Sequence, residues 1–214
     1  MNKELEKRIL SSIILIPIAL FFIIKGSFLF NFFILICFFI TSLEWHMMTK
    51  KSVHKICGLL FLILSFYSIY KIRNDFSNDY FYIMLITLIC VSTDLGGFIF
   101  GKIFKGPKLT KISPKKTYSG MIGSYLLSII FTSFFLNNLY YNSPIDLTGD
   151  TFIYVMLVST VSQIGDIIIS YFKRLSKIKN TGKIIPGHGG LLDRVDGMIF
   201  AFPFSYLIFI NWSY

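Results

Sequence analysis

The sequence predicts an all-α polytopic membrane protein with about seven transmembrane helices, a range of six to eight, and a cytoplasmic N-terminus. Composition, apolar segments and the placement of basic residues support this fold class. Of the 214 residues, 54% are hydrophobic and 18% aromatic, and the mean hydropathy is +0.67. Soluble domains are rarely so apolar. We therefore expect residues 1–214 to form a single integral membrane domain.

Seven apolar segments approach the ~20 residues that a helix needs to cross a ~30 Å hydrocarbon core. They lie at about 9–24, 28–43, 57–70, 80–100, 120–141, 151–172 and 198–213. The third is short enough to be re-entrant and the last is also short, which gives the range of six to eight. The first segment is expected to be retained, because its charged N-terminal region is mixed in sign and no Ala-x-Ala cleavage site follows.

Basic residues fix the expected orientation. With the N-terminus inside, 18 of the 21 Lys and Arg residues fall in cytoplasmic segments, and the exceptions are Lys25, Lys71 and Arg73. The positive-inside rule explains this asymmetry and most of the +10 net charge. We therefore expect membrane lipid and no nucleic acid as a partner. A bacterial inner membrane is the expected location, with cytoplasmic catalytic loops at 101–119 and 173–197.

A polar stripe runs along the sixth apolar segment at the period of a helix. It consists of Ser159, Ser162, Gln163, Asp166, Ser170, Lys173 and Arg174. An acid within a membrane segment costs at least ~2.5 kcal/mol, so Asp166 is expected to face protein, water or a cation. Asp94 is a second membrane acid on the same side and at a similar depth. The alternative is that each acid serves only helix packing.

Small residues accompany Asp94 on one helical face of the fourth segment. Gly97 and Gly101 lie on this face, where they allow another helix to approach closely. This pattern permits either packing within the chain or a homodimer.

The loop before the fifth segment combines lysines with Ser113, Thr117 and Gly120. Amide groups at a helix start, with Lys116 nearby, could bind phosphate. The alternative is that these lysines only set topology or attract anionic lipid.

The last loop brings Gly187-His188-Gly189-Gly190 before Asp193 and Asp196. Glycine amides can approach an anion closely, and two acids three residues apart point the same way on a helix. Asp196 could instead only cap the final helix, and His188 could be an ordinary loop residue. Clustered carboxylates suit Mg²⁺ and basic side chains suit phosphates, so the residues indicate phosphoryl or nucleotidyl transfer at the membrane surface.

These residues resemble the phosphatidate cytidylyltransferase (CDP-diglyceride synthetase) family. Its signature, Ser-x-x-Lys-Arg followed by Pro-Gly-His-Gly-Gly-x-x-Asp-Arg-x-Asp, matches residues 170–174 and 186–196. Asp94-Leu-Gly-Gly-Phe, residues 112–120 and the Glu44-Trp45 pair resemble other motifs of the family. The resemblance implies that CTP and phosphatidate form CDP-diacylglycerol and pyrophosphate with Mg²⁺, which a monovalent cation could join.

The resemblance also implies roles for individual residues. Metal binding falls to Asp166 and Asp196, with Asp193 adjacent. The expected catalytic residues are Asp166, Lys173, Arg174, Asp193 and Asp196. The expected phosphate-binding residues are Ser113, Lys116, His188, Gly189, Gly190 and Arg194, and the supporting residues are Asp94 and Ser170.

Three positions depart from the family pattern. Asn180 stands in place of an acid, Ile169 stands where an acid often precedes the signature serine, and Tyr118-Ser119 replaces Trp-Glu. Alternatives therefore stay open: a CTP-dependent polyprenol or phytol kinase, a catalytically decayed scaffold, or a transporter. Transport is disfavoured, because the membrane acids cluster on one side.

Overall fold

The computed structural model describes residues 3–76, 80–110, 112–113, 116–139, 145, 147–185, 187 and 189–212. Within these residues the chain is helical, and each of the seven predicted apolar segments forms a helix. A short additional helix, α7, precedes the last one. The helices are α1 (Lys3–Lys25), α2 (Ser27–Met48), α3 (Ser52–Asp75), α4 (Phe81–Phe104), α5 (Tyr118–Phe134), α6 (Gly149–Leu175), α7 (Leu192–Val195) and α8 (Met198–Trp212).

Five helices of the described chain, α2 to α6, are long and apolar enough to cross a membrane, with α5 extended by a π-helical turn at Phe135–Leu139. The apolar parts of α1 and α8, Ile13–Lys25 and Met198–Asn211, are shorter. The third segment is longer than its apolar residues suggest, because polar residues at both ends join α3 and bring it to 24 residues. These features confirm the all-α polytopic fold class.

α4 packs most extensively against α5, and glycines allow the close approach. A Cβ atom on Gly96 would lie 2.3 Å from the carbonyl oxygen of Gly123. Cβ atoms on Gly97 and Gly101 would lie 3.0 Å from Ser124 Oγ and 3.1 Å from Thr117 Oγ1. The small-residue face of α4 therefore serves packing within the chain.

The apolar interior has two clusters. The larger is centred on α4, where Leu85, Ile86 and Ile89 are fully buried together with Val158 of α6 and Ala201 of α8. The smaller lies where α2, α3, α6 and α8 meet α7. It contains Trp45, Met48, Leu62, Phe66, Ile169, Leu192 and Ile199.

Two connecting segments meet at one end of the bundle. We call residues 105–117, between α4 and α5, the lysine loop, and residues 176–191, between α6 and α7, the glycine loop. Both lie at the end where α2, α4 and α6 finish and α8 begins, because successive helices alternate in direction. This end carries the candidate site.

Candidate active site

Lys173 joins the end of α6 to both acids of the last motif. Its Nζ lies 3.0 Å from Asp193 Oδ1 and 3.6 Å from Asp196 Oδ2. Lys173 and Asp196 are each only 8% exposed. Because buried charges are costly unless they are paired, each of these groups depends on the others for its position.

Asp193 also organises the glycine loop. Its Oδ2 accepts hydrogen bonds from the amides of Thr181 at 2.8 Å and Gly190 at 3.0 Å. A Cβ atom on Gly189, which has a φ of +99°, would lie 2.8 Å from the same oxygen. Asp193 thus fixes the loop around itself while its other oxygen binds Lys173.

Lys116 brings the lysine loop onto α6. Its Nζ lies 2.7 Å from Asp166 Oδ2 and donates to the carbonyl oxygen of Gln163 at 3.1 Å. Ser170 Oγ donates to Asp166 Oδ1 at 3.2 Å. The lysine loop therefore places Lys116 beside the polar stripe of α6, to which Lys173 itself belongs.

The first residues of this stripe, Ser159 and Ser162, face other helices. Polar side chains within a membrane helix need such polar partners, because lipid offers none. Thr93 Oγ1 of α4 donates to Ser159 Oγ at 2.8 Å. Gly197, just before α8, packs against Ser162 so closely that a Cβ atom would lie 2.3 Å from Ser162 Oγ. Ser159 and Ser162 of the stripe are therefore buried against α4 and the start of α8.

Three carboxylates lie near one another where α4, α6 and the start of α8 meet. They are those of Asp94, Asp166 and Asp196. Asp94 interacts electrostatically with Asp166, and Asp196 interacts with both. Burial raises the pKa of Asp196, and the charge of nearby Asp166 raises it further. Asp196 Oδ1 also accepts a hydrogen bond from the amide of Gly197 at 3.0 Å, just before α8 begins.

The donor chemistry of this site fits a hard divalent cation. Closely spaced carboxylates repel one another, and Mg²⁺ prefers such oxygen ligands. In the described part of the chain, no three His, Cys, Asp or Glu side chains form a ready-made metal-binding group. Lys116 and Lys173 instead pair with these acids.

Glu44 is a site residue to which the sequence analysis gave no role. Its fully buried carboxylate accepts hydrogen bonds from the amides of Leu191 at 2.9 Å and Leu192 at 2.8 Å and from Thr181 Oγ1 at 3.0 Å. The sequence signal for Glu44 is its position directly after an apolar segment, because an acid at the end of a membrane helix is itself a functional candidate. In this respect Glu44 is similar to Asp94 and Asp166.

Other predicted residues lie apart from the buried cluster. Arg174 is exposed, and its Nη1 donates to the Ile178 carbonyl at 3.5 Å. Arg194 is also exposed and interacts electrostatically with Asp94. Ser113 is half-buried in the lysine loop, where its amide donates to Thr110 Oγ1 at 3.1 Å.

Two amides of the predicted phosphate cradle at residues 187–190, those of Gly189 and Gly190, are used within the glycine loop. The Gly189 amide donates to the Ile185 carbonyl at 3.1 Å, and the Gly190 amide donates to Asp193. His188 lies outside the described residues. Phosphate binding by His188, Gly189 and Gly190 stays a prediction.

The structure shows the environments of two residues that depart from the family pattern, Ile169 and Asn180. Ile169 is 2% exposed and belongs to the smaller apolar cluster, where an acid would lack a polar partner. Asn180 is exposed beside Gly189, at the edge of the glycine loop. The acids that converge on the site are unaffected by either departure.

In a comparison with known protein families, the model of the "Cytidylyltransferase family" matches residues 52–211 of this chain. The chain belongs to this family. The match starts at α3 and extends into α8, so it contains both loops and the acids Asp94, Asp166, Asp193 and Asp196, whereas Glu44 lies before it. The resemblance expected from the motifs is thereby confirmed.

Individual relatives of this cytidylyltransferase-family chain carry the name phosphatidate cytidylyltransferase. The protein from Rickettsia bellii (strain RML369-C) is 37% identical over 100% of this chain and 93% of its own length. The protein from Rickettsia felis (strain ATCC VR-1525 / URRWXCal2) is 35% identical over 98% and 94%. The protein from Bacillus subtilis (strain 168) is 33% identical over 72% of this chain and 56% of its own length.

Proposed function

We propose that this membrane protein transfers the cytidylyl group of CTP to phosphatidate, giving CDP-diacylglycerol and pyrophosphate. The observation that carries the proposal is Lys173 held between Asp193 and Asp196, beside the pair of Lys116 and Asp166. The shared name of relatives that align along nearly the whole chain supports the same substrates. We place the reaction at the cytoplasmic face of a bacterial inner membrane, because the basic loops carry the site.

The proposed reaction depends mainly on how the protein positions CTP and phosphatidate. A phosphate monoester oxygen of phosphatidate attacks the α-phosphorus of CTP, a new P–O bond forms, and the bond to the β-phosphate oxygen breaks to release pyrophosphate. The second pKa of a phosphate monoester is about 6, so the nucleophile is already largely dianionic at pH 7. The protein therefore needs cations and orientation more than a general base.

Lys116 and Lys173 are the groups best placed to bind phosphate. Both ammonium groups lie beside buried or half-buried acids and on the face of α6 shared by Asp166 and Ser170. Arg174 and Arg194 are exposed and would add positive charge at the solvent-facing edge of this site. One lysine from the lysine loop and one from α6 allow the two phosphate-bearing substrates to be held together.

We further propose Mg²⁺ as the cofactor, held by Asp166 and Asp196, and a monovalent cation could accompany it. When bound, Mg²⁺ screens the triphosphate charge and stabilises the pyrophosphate leaving group. Asp193 is less suited to be a direct ligand, because one oxygen accepts two amides and the other binds Lys173. We assign it to positioning Lys173 and the glycine loop.

The released product tests this function. Detergent-purified protein would be incubated with CTP, Mg²⁺ and phosphatidate, and pyrophosphate and CDP would be measured separately. We expect pyrophosphate in equal amount to CDP-diacylglycerol, and neither from the Lys173→Met variant. Release of CDP with a polyprenol or phytol acceptor, and no pyrophosphate with phosphatidate, would instead establish a lipid kinase.

A further inference from the structure

An apolar pocket of about 200 Å³ opens between α2, α3, α6 and α8. Its walls include Trp45, Cys57, Phe61, Ile169, Phe172 and Phe200. Cys57 is exposed, whereas Trp45 and Ile169 are buried, so the pocket leads from the surface of α3 into the smaller apolar cluster.

The pocket lies about one helical turn from the proposed phosphate-binding site. Ile169 precedes Lys173 by four residues on α6, so it lies on the same face one turn along the helix, about 6 Å away. Ile199, which also lines the pocket, follows Asp196 by three residues. An apolar chain attached to a phosphate at Lys173 would therefore meet this pocket first.

A second apolar cavity, beside Phe204, Leu207, Ile208 and Asn211, is poorly placed for the same task. Leu207 follows Asp196 by eleven residues, which is about 16 Å along a helix. That distance separates this cavity from the charged site by several turns. Position thus distinguishes the two cavities.

We propose that the pocket between α3 and α6 binds the part of one phosphatidate acyl chain nearest the glycerol. This inference rests on the proposed function. Binding of the phosphate at Lys173 raises the local concentration of the attached chain, which favours the substrate over bulk lipid for the same space. The volume suits part of one chain, so the second chain stays in the surrounding bilayer.

Photocrosslinking of the wild-type protein tests occupancy without requiring turnover. Phosphatidate and phosphatidylcholine would carry the same diazirine near the carboxyl end of one chain, and adducts would be mapped by mass spectrometry. We expect phosphatidate adducts on α3 near Cys57, reduced by unlabelled phosphatidate, and far fewer from phosphatidylcholine. Equal labelling by the two lipids would overturn the proposal, because it would show that bulk lipid fills the pocket.

Filling the pocket tests its use in catalysis. Cys57→Phe adds a ring at an exposed lining position, and Ile56→Phe adds the same ring at an exposed neighbour outside the lining. We expect Cys57→Phe to lower kcat/KM for dioleoyl phosphatidate by about tenfold relative to diacetyl phosphatidate, whose chains are too short to fill the pocket. A tenfold loss corresponds to about two methylene groups losing burial. Ile56→Phe should leave that ratio unchanged.

Equal effects of Cys57→Phe on both chain lengths would contradict the acyl-binding role. The two hypotheses fail differently. If the wild-type protein turns over neither phosphatidate, the proposed function fails. If turnover is normal but crosslinking and chain-length dependence are absent, only the pocket assignment fails.

Discussion

The carboxylate of Glu44, at the end of α2, accepts a hydrogen bond of 2.8 Å from the amide of Leu192, the first residue of α7. A second bond from Leu191 and a third from Thr181 complete its environment. The next residue after Leu192 is Asp193, which binds Lys173. A membrane helix thereby fixes the loop that positions the site acids.

We expect Glu44→Gln to impair both stability and turnover. The amide nitrogen of glutamine cannot accept the hydrogen bonds now made to one carboxylate oxygen, and each buried donor left unpaired costs about 1–3 kcal/mol. The free energy of unfolding in detergent should fall by about 2 kcal/mol, and kcat should fall more than the CTP KM rises. Asp75→Asn, which removes an exposed pair with Lys71, is the matched control and should change neither quantity.

Lys173→Met should be strongly destabilising. It leaves Asp193 and Asp196 without their buried cation, and breaking a buried pair in this way costs about 3–5 kcal/mol. Thermal unfolding in detergent and lipid-product formation would measure the two consequences. Lys173→Arg should recover much of the stability but little turnover, since a guanidinium differs in shape from an ammonium. Full turnover in Lys173→Met would remove Lys173 from the proposed site.

Lys116 and Asp166 should be energetically coupled. Their side chains are 21% and 27% exposed, so water screens the pair in part. A double-mutant cycle with Lys116→Met and Asp166→Asn should give a coupling energy of about 1 kcal/mol in unfolding measurements. Additive effects of the two substitutions would show that the lysine loop does not dock on α6 through this contact.

The close approach of α4 and α5 predicts that alanine substitutions at two glycines, Gly96 and Gly149, change the free energy of unfolding by very different amounts. Gly96→Ala would place a methyl group 2.3 Å from the Gly123 carbonyl oxygen, whereas a Cβ atom on Gly149 meets nothing within 4 Å. We expect Gly96→Ala to destabilise the protein by about 2 kcal/mol. Gly149→Ala should be neutral or stabilise the chain by about 0.5 kcal/mol. Similar unfolding temperatures for the two variants would contradict the packing.

Hydrophobicity alone predicted the helices, because the membrane leaves few other backbone structures possible. The segment expected at 151–172 is the core of α6, and the acids Asp94 and Asp166 lie near enough to interact electrostatically. The length of α3 was harder to predict, because its polar ends carry no apolar signal. Helix existence followed from composition, whereas helix ends depended on local hydrogen bonding.

The spacing of residues along the sequence could not predict which side chains of the site contact one another. The pattern placed Asp193 beside Asp196, but it did not show that Lys173 lies between them or that Asp193 accepts two loop amides. Glu44 lies 148 residues from Leu192, so only the folded chain brings the two together. Long-range contacts of this kind depend on tertiary packing and not on helical periodicity.

The central claim is that this chain converts CTP and phosphatidate into CDP-diacylglycerol through the acids beside Lys173. Its most direct test is transfer of label from α-³²P CTP into lipid by purified wild type, Asp196→Asn and Asn180→Asp, with and without Mg²⁺. We expect labelled lipid from wild type that requires Mg²⁺ and is lost in Asp196→Asn. A silent wild type whose turnover is restored by Asn180→Asp would contradict the account and identify a decayed enzyme.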